Sequence, residues 1–179
     1  MVVKRLVSYA AVALFPFQLA VVEAQPGKHD SRHGPAIEAV RDALGQYQEP
    51  AAALAAGYLA QTVCVSGPQE GAMGVHFVKP ALFDGAIVLA EPEALVYEPH
   101  PRGLRLVAAE YIAPAAAWHA THAPGDQPQL AGHLFHYVPG PNRYGPDAFY
   151  ELHVWALGHN PSGAFADWNP NVSCAPWQP

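Results

Sequence analysis

An α+β fold, with two amino-terminal helices packed on a mainly antiparallel sheet, follows from three features of the sequence. Apolar residues recur at helical spacing only between Pro35 and Tyr58. From Thr62 onward, short extended pieces are separated by Gly and Pro. Nowhere do strands and helices alternate in the βαβ rhythm that builds parallel sheets. Such a sheet could curl into a barrel. The chain has 179 residues, and 35–179 is expected to form a single α+β domain of ordinary size.

The chain opens on a basic pair, Lys4 and Arg5, followed by an almost wholly apolar run from Leu6 to Val22. Val22-Glu23-Ala24 puts small or permissive residues at the usual cleavage positions. Residues 1–24 therefore read as a signal peptide, with the mature chain starting at Gln25. A membrane anchor is the rival reading, but the run is a little short for a span and holds Pro16. No stable membrane span is expected after processing. Residues 25–34, QPGKHDSRHG, are polar and aperiodic, a flexible lead-in that carries His29 and His33.

Pro35 suits a first helical turn, and Ile37, Val40, Leu44 and Tyr47 then give one apolar stripe. Glu49-Pro50 starts a second, alanine-rich helix, AAALAAGYLAQ, with Leu54 and Tyr58 one turn apart. Strands are expected near Thr62–Ser66, Met73–Val78, Ala86–Leu89, Leu95–Glu98, Leu104–Ile112, Leu134–Val138 and Phe149–Leu157, with one or two helical turns over Pro114–Thr121. The tail after Gly158 is a string of turns. It includes the sequon Asn171-Val172-Ser173, meaningful only in a eukaryotic source.

Charge and cysteines narrow the class. The formal net charge of −6 becomes one unit more negative when Lys4, Arg5 and Glu23 leave with the leader, which argues against nucleic-acid binding. Export would carry Cys64 and Cys174 into an oxidising compartment, where such a pair bridges and ties the tail to the first strand. A cysteine nucleophile has no adjacent histidine motif to support it.

Ten histidines is a high count, and their strand positions carry the argument. In FYELHVWALG (149–158), Phe149, Glu151, His153, Trp155 and Leu157 share one face, which sets an imidazole and a carboxylate among apolar groups. Leaving such a group unpaired costs roughly 2–7 kcal/mol. His76 is enclosed by Met73, Val75, Phe77 and Val78. Glu110 falls on a row with Leu104, Leu106, Ala108 and Ile112, while Arg105 falls on the opposite face. A buried carboxylate needs a cation, and lysines and arginines number only nine, two of them in the leader. One divalent transition-metal ion, Fe, Zn or Cu, held by His76, Glu110 and His153 would satisfy all three side chains. Glu98 and His136 are candidate further ligands, and Phe149, Trp155 and Tyr111 a candidate apolar surround. The competing assignment gives each residue its own protein partner, with Glu110 paired to Arg143.

Several signatures are missing. HExxH, a Gly-rich phosphate loop, GxSxG and the H-x-H pattern of cupins are not found. The blue-copper ligand set fails because both cysteines are expected to bridge and Met73 is the only methionine after the initiator. A mature chain starting at Gln25 lacks the amino-terminal histidine of a copper brace. The segments GAMGVHFV, ALVYEP, PNRYG, FYELHVW and DWNPNVSC, in that order, resemble a group of small exported bacterial proteins of unassigned activity. The resemblance covers most of the chain beyond about residue 45. It implies a periplasmic or secreted product, and assigns no role to His76, Glu98, Glu110 or His153.

The functional expectation is an exported protein with a mononuclear metal site and metal-assisted redox or hydrolytic chemistry on a small molecule. The alternatives are a non-catalytic metal-handling protein and a carbohydrate-binding module using Trp168, Trp177 and Tyr144 on loops.

Overall fold

The structure, a computed structural model, describes residues 34–177. The leader 1–24 and the lead-in through His33 lie outside the described residues. Helix α1 (Pro35–Leu44) starts on its proline and buries Ile37, Val40 and Leu44. A short turn leads to α2 (Pro50–Ala55), which stops before Gly57. Tyr58 is not part of it. Its side chain is buried and its hydroxyl donates to the Pro92 carbonyl at 2.8 Å, whereas Leu54 stays exposed.

The eight strands that follow are β1 (Leu59–Ser66), β2 (Ala72–Val78), β3 (Ala94–His100), β4 (Gly103–Pro114), β5 (Gln129–Leu130), β6 (His133–Leu134), β7 (His136–Val138) and β8 (Phe149–Val154). A five-residue helix α3 (Ala115–His119) follows β4. The main sheet has the order β1-β2-β3-β4-β8-β7, and every neighbouring pair is antiparallel. Strands β5 and β6 form a separate pair. Among the described residues the main sheet ends at β1 and β7, so it is open and no barrel closes. Among the described residues no helix is long and apolar enough to cross a membrane.

Three strand expectations change. Ala86–Leu89 is a loop, in which Asp84 accepts from the Ala86 amide at 2.9 Å and the Tyr111 hydroxyl donates to the Leu89 carbonyl. Ile87 and Leu89 still pack on the core, so they are apolar without being sheet. Leu134–Val138 breaks at the buried Phe135. Strand β8 ends at Val154 because the Trp155 amide turns to the Ala164 carbonyl, and those of Leu157 and Gly158 to Val107. A Cβ on Gly158 would sit 2.9 Å from that of Val107, so only glycine allows this approach.

The two sheet faces do different work. One carries Val75, Phe77, Leu95, Tyr97, Tyr111, Leu152 and Val154, which form a single buried cluster with the α1 stripe. The other carries a small cluster of Ala72, Val96, Val107, Ala108, Trp155 and Val172. The row expected from Leu104 to Ile112 is interrupted by a β-bulge. Val96 pairs with Ala108 but Tyr97 pairs with Leu106, which leaves Val107 as the extra residue. Leu106 therefore joins the helix-side core, while Ala108 is on the other face. By alternation Glu110 lies with Ala108, and Arg105 lies on that face too, further along the strand.

Glu93 is the acid of the helix-side interior, 1 % exposed, and accepts the Ile112 amide at 2.9 Å. Burial lifts its pKa to about 7, against the lowering effect of that hydrogen bond. The unfolded chain ionises this group near 4.5, so the folded form holds a proton that the unfolded form has lost between about pH 4.5 and 7. Stability from this site falls across that window and is level above it. Glu93→Gln is expected to stabilise the protein relative to the parent by about 3 kcal/mol more at pH 8 than at pH 4. Urea unfolding at both pH values measures it, and an equal difference at both would refute it.

Candidate metal centre

The three principal candidates arrive from β2, β4 and β8 on the face away from the helices. Strand pairing puts Glu110 directly opposite His153. His76 is two strands away from Glu110, a gap of about 10 Å between backbones. Between them on this face, β3 offers Ala94 and Val96, paired with Glu110 and His76 respectively. Because those side chains are short, the His76 ring reaches across β3. Its Nε2 lies 3.3 Å from Glu110 Oε2 and 3.5 Å from His153 Nε2. Gly74, two residues before His76, has φ +123° where β2 bulges against β1, and a Cβ there would lie 2.6 Å from the Tyr97 carbonyl oxygen. One ligand atom from each of the three residues falls within 4.8 Å of the others.

All three are buried: His76 and Glu110 are 3 % exposed and His153 is fully covered. The Nδ1 atoms of both histidines lack a hydrogen-bond partner among the described residues. The separate partners closest to hand are the Gly74 backbone for His76 and, at 3.7 Å, Asp167 for His153 Nδ1, and neither completes a hydrogen bond to those atoms. Glu110 has no ion pair with Arg143, which is exposed and whose guanidinium lies over the Trp168 ring at 6.0 Å.

Burial sets the charge state of the site. Burial lowers the His76 pKa to about 3, helped by the nearby charge of His153, so the imidazole is neutral and in its ligand form near neutral pH. Burial raises Glu110 well above the ordinary carboxylate range, and hydrogen bonding and repulsion from Glu151 push it further. Two adjoining carboxyls cannot both ionise cheaply in a dry interior, so Glu110 holds its proton to higher pH than an ordinary carboxylate.

The other two candidate ligands go elsewhere. Glu98 pairs with Arg105 across β3 and β4, Nε to Oε2 3.2 Å, and leaves the trio. The bulge at Val107 is the reason, since it brings Arg105 to the same face. His136 is largely exposed and belongs to an adjoining group with Glu151 and Asp167. Its Nδ1 is 3.2 Å from Asp167 Oδ2 and 3.9 Å from Glu151 Oε1. The other oxygen of Asp167 is 3.7 Å from His153 Nδ1, beyond hydrogen-bond length but close enough to orient the ring. Burial raises the Asp167 pKa, but His153 and His136 together outweigh it and the net shift is downward.

Glu151 and Asp167 were not among the candidates. The signal for Glu151 was present, since strand alternation already put it on the face of His153. Asp167 had none. It is delivered by the tail, where Trp155 Nε1 donates to the Ala166 carbonyl at 2.6 Å and Asn160 Nδ2 to that of Trp168 at 2.9 Å. Of the expected surround, Trp155 stacks on His153 with ring centroids 6.3 Å apart. Tyr111 instead faces the helix-side core.

A cavity of about 570 Å³ opens onto the trio, and His76 and Glu110 form part of its wall. The remaining wall is mostly apolar, with Val65, Val78, Ile112 and Phe149 prominent and Tyr144 at 6.4 Å from the His76 ring. Neither Trp168 nor Trp177 lines it. No protein family, no curated protein and no solved structure matches the chain.

Proposed function

We propose that this chain is an exported metalloprotein that holds a divalent transition-metal ion on His76, Glu110 and His153. A coordination position facing the cavity remains free for water or a small-molecule substrate. The observation that carries this reading is the convergence of two buried imidazole Nε2 atoms and a carboxylate oxygen at 3.3 and 3.5 Å. With metal–ligand bonds of about 2.1 Å, neighbouring ligands stand about 3.4 Å apart in a tetrahedron and about 3.0 Å apart in an octahedron. The spacing supports Zn(II) first, with Fe(II) and Cu(II) as the runners-up.

An ion in this position would polarise a bound water or a substrate carbonyl, which makes hydrolysis the leading chemistry and redox the alternative. The apolar walls favour a small substrate with a hydrocarbon or aromatic body. The glycan reading loses support because, of the three aromatic candidates, only Tyr144 lines the cavity, although Gln61, Asn142, Arg143 and Asp147 add polar groups to its wall. Access from the cavity to His76 and Glu110 argues against a closed metal store. The leader pattern and the Cys64–Cys174 bond support a periplasmic or secreted location.

Elemental analysis of untagged protein, purified without chelator and dialysed, tests the reading. At least one transition-metal ion per chain is expected, with most of it lost in His76→Ala and in His153→Ala while circular dichroism stays native. Full metal content in both variants, or none in metal-replete parent, would sink the proposal.

A further inference from the structure

We infer that His136, Glu151 and Asp167 form a second cation site beside the first, so that the chain binds two divalent ions. This rests on the reading of His76, Glu110 and His153 as a metal centre. The three residues come from β7, β8 and the tail, and their ligand atoms lie within 4.8 Å of one another. Strand register sets His136 opposite Glu151, and the Trp155–Ala166 hydrogen bond brings Asp167 over them.

Two contacts join this group to the first. Glu151, 5 % exposed, lies on the same face of β8 as His153, beside Glu110 of the adjoining strand and close enough for their charges to repel. His153 Nδ1, fully buried and without a hydrogen-bond partner, is aimed at Asp167 Oδ1. Glu110, Glu151 and Asp167 thus bring three carboxyls together. Among the described residues no lysine or arginine lies within ion-pair distance of any of them, the two such pairs being Arg41–Glu38 and Arg105–Glu98. A hydrogen-bonded surface pair between His136 and Asp167 would explain their 3.2 Å separation. It would not explain Glu151, buried at 3.9 Å from His136 against another carboxyl. An ion on the second trio satisfies Glu151 and Asp167, and the ion on the first satisfies Glu110, so that the neighbouring carboxyls Glu110 and Glu151 each face a metal. Paired ions clamp both the attacking and the leaving oxygen of a hydrolytic displacement.

The test uses untagged full chain, stripped with chelator and dialysed against rising free Zn²⁺, with bound zinc read by elemental analysis. Two steps are expected, one ion and then two, the second weaker because His136 is exposed. His136→Ala and Asp167→Asn should each keep the first step and weaken the second at least tenfold, and His76→Ala should lose the first. His136→Ala changes an exposed side chain, so the native fold is expected to persist. A parent that saturates at one ion overturns the second site and spares the first. A second step unchanged in both variants also overturns it, because that ion then binds elsewhere. A parent that takes up no zinc overturns the metal reading itself, so the two failures are distinguishable.

Discussion

Saturating Zn²⁺ is expected to stabilise the chelator-stripped chain by about 4 kcal/mol when free zinc exceeds the dissociation constant a thousandfold, through preferential binding to the folded state. The effect should be steeply pH-dependent, and its sign follows from the site. His76 is already neutral, held there by burial and by His153, so it contributes no proton. Glu110 holds a proton in the metal-free state, because burial and Glu151 raise its pKa. Zinc must displace that proton, so affinity should rise with pH from the ordinary carboxylate range upward until Glu110 is ionised without metal. Glu110→Gln removes the anionic ligand and the displaced proton together. In that variant the zinc-induced shift in the unfolding transition should largely vanish, and its pH dependence should flatten. Its metal-free stability should be unchanged or higher, since an amide, unlike Glu110, need not take up a proton to enter the interior. Thermal unfolding with zinc and with chelator, at three pH values, reads all of this. A transition indifferent to both would end the proposal.

The second large effect lies in the disulfide. Cys64 and Cys174 are bonded, with Cα atoms 5.7 Å apart and a sequence separation of 110. In the chain-entropy account a loop of this length contributes about 4–5 kcal/mol by restricting the unfolded ensemble. The double variant Cys64→Ala/Cys174→Ala is expected to lose that amount, seen as a transition about 10–20 °C lower for a domain of this size. There should also be a local consequence. The bond anchors the tail beside β1, and the tail carries Asp167. Loosening it should weaken metal binding through Asp167 more than through the strand-borne ligands. Denaturation in urea, with the slope checked against the parent, tests the first point. A stability within 1 kcal/mol of the parent would refute it.

What could be read from the chain by itself was local or pairwise in residue type. The α1 stripe, the alternation that puts Glu151 and His153 on one face, the apolar setting of His76 and the pairing of two cysteines all follow from period and chemistry. All but the cysteine pair rest on spacings of two to four residues, which the backbone enforces wherever the element forms. The antiparallel α+β layout followed from the same signals. Strand limits were less legible: Ala86–Leu89 has the composition of a strand but packs as loop, because burial alone satisfies apolar side chains.

The tertiary structure decided everything that depends on register and strand order. Seating β8 against β4 puts His153 opposite Glu110, and the short side chains of Ala94 and Val96 let His76 reach them across β3. One extra residue at Val107 reverses the faces of Leu104–Leu106, and so sends Glu98 to Arg105 instead of to His76, Glu110 and His153. Asp167 reaches His136 only because the tail folds back along hydrogen bonds to Trp155 and Asn160. The residue types for a cation site were written into the chain. Their meeting depends on contacts between residues tens of positions apart, set by the summed packing of the whole sheet, to which no local period has access.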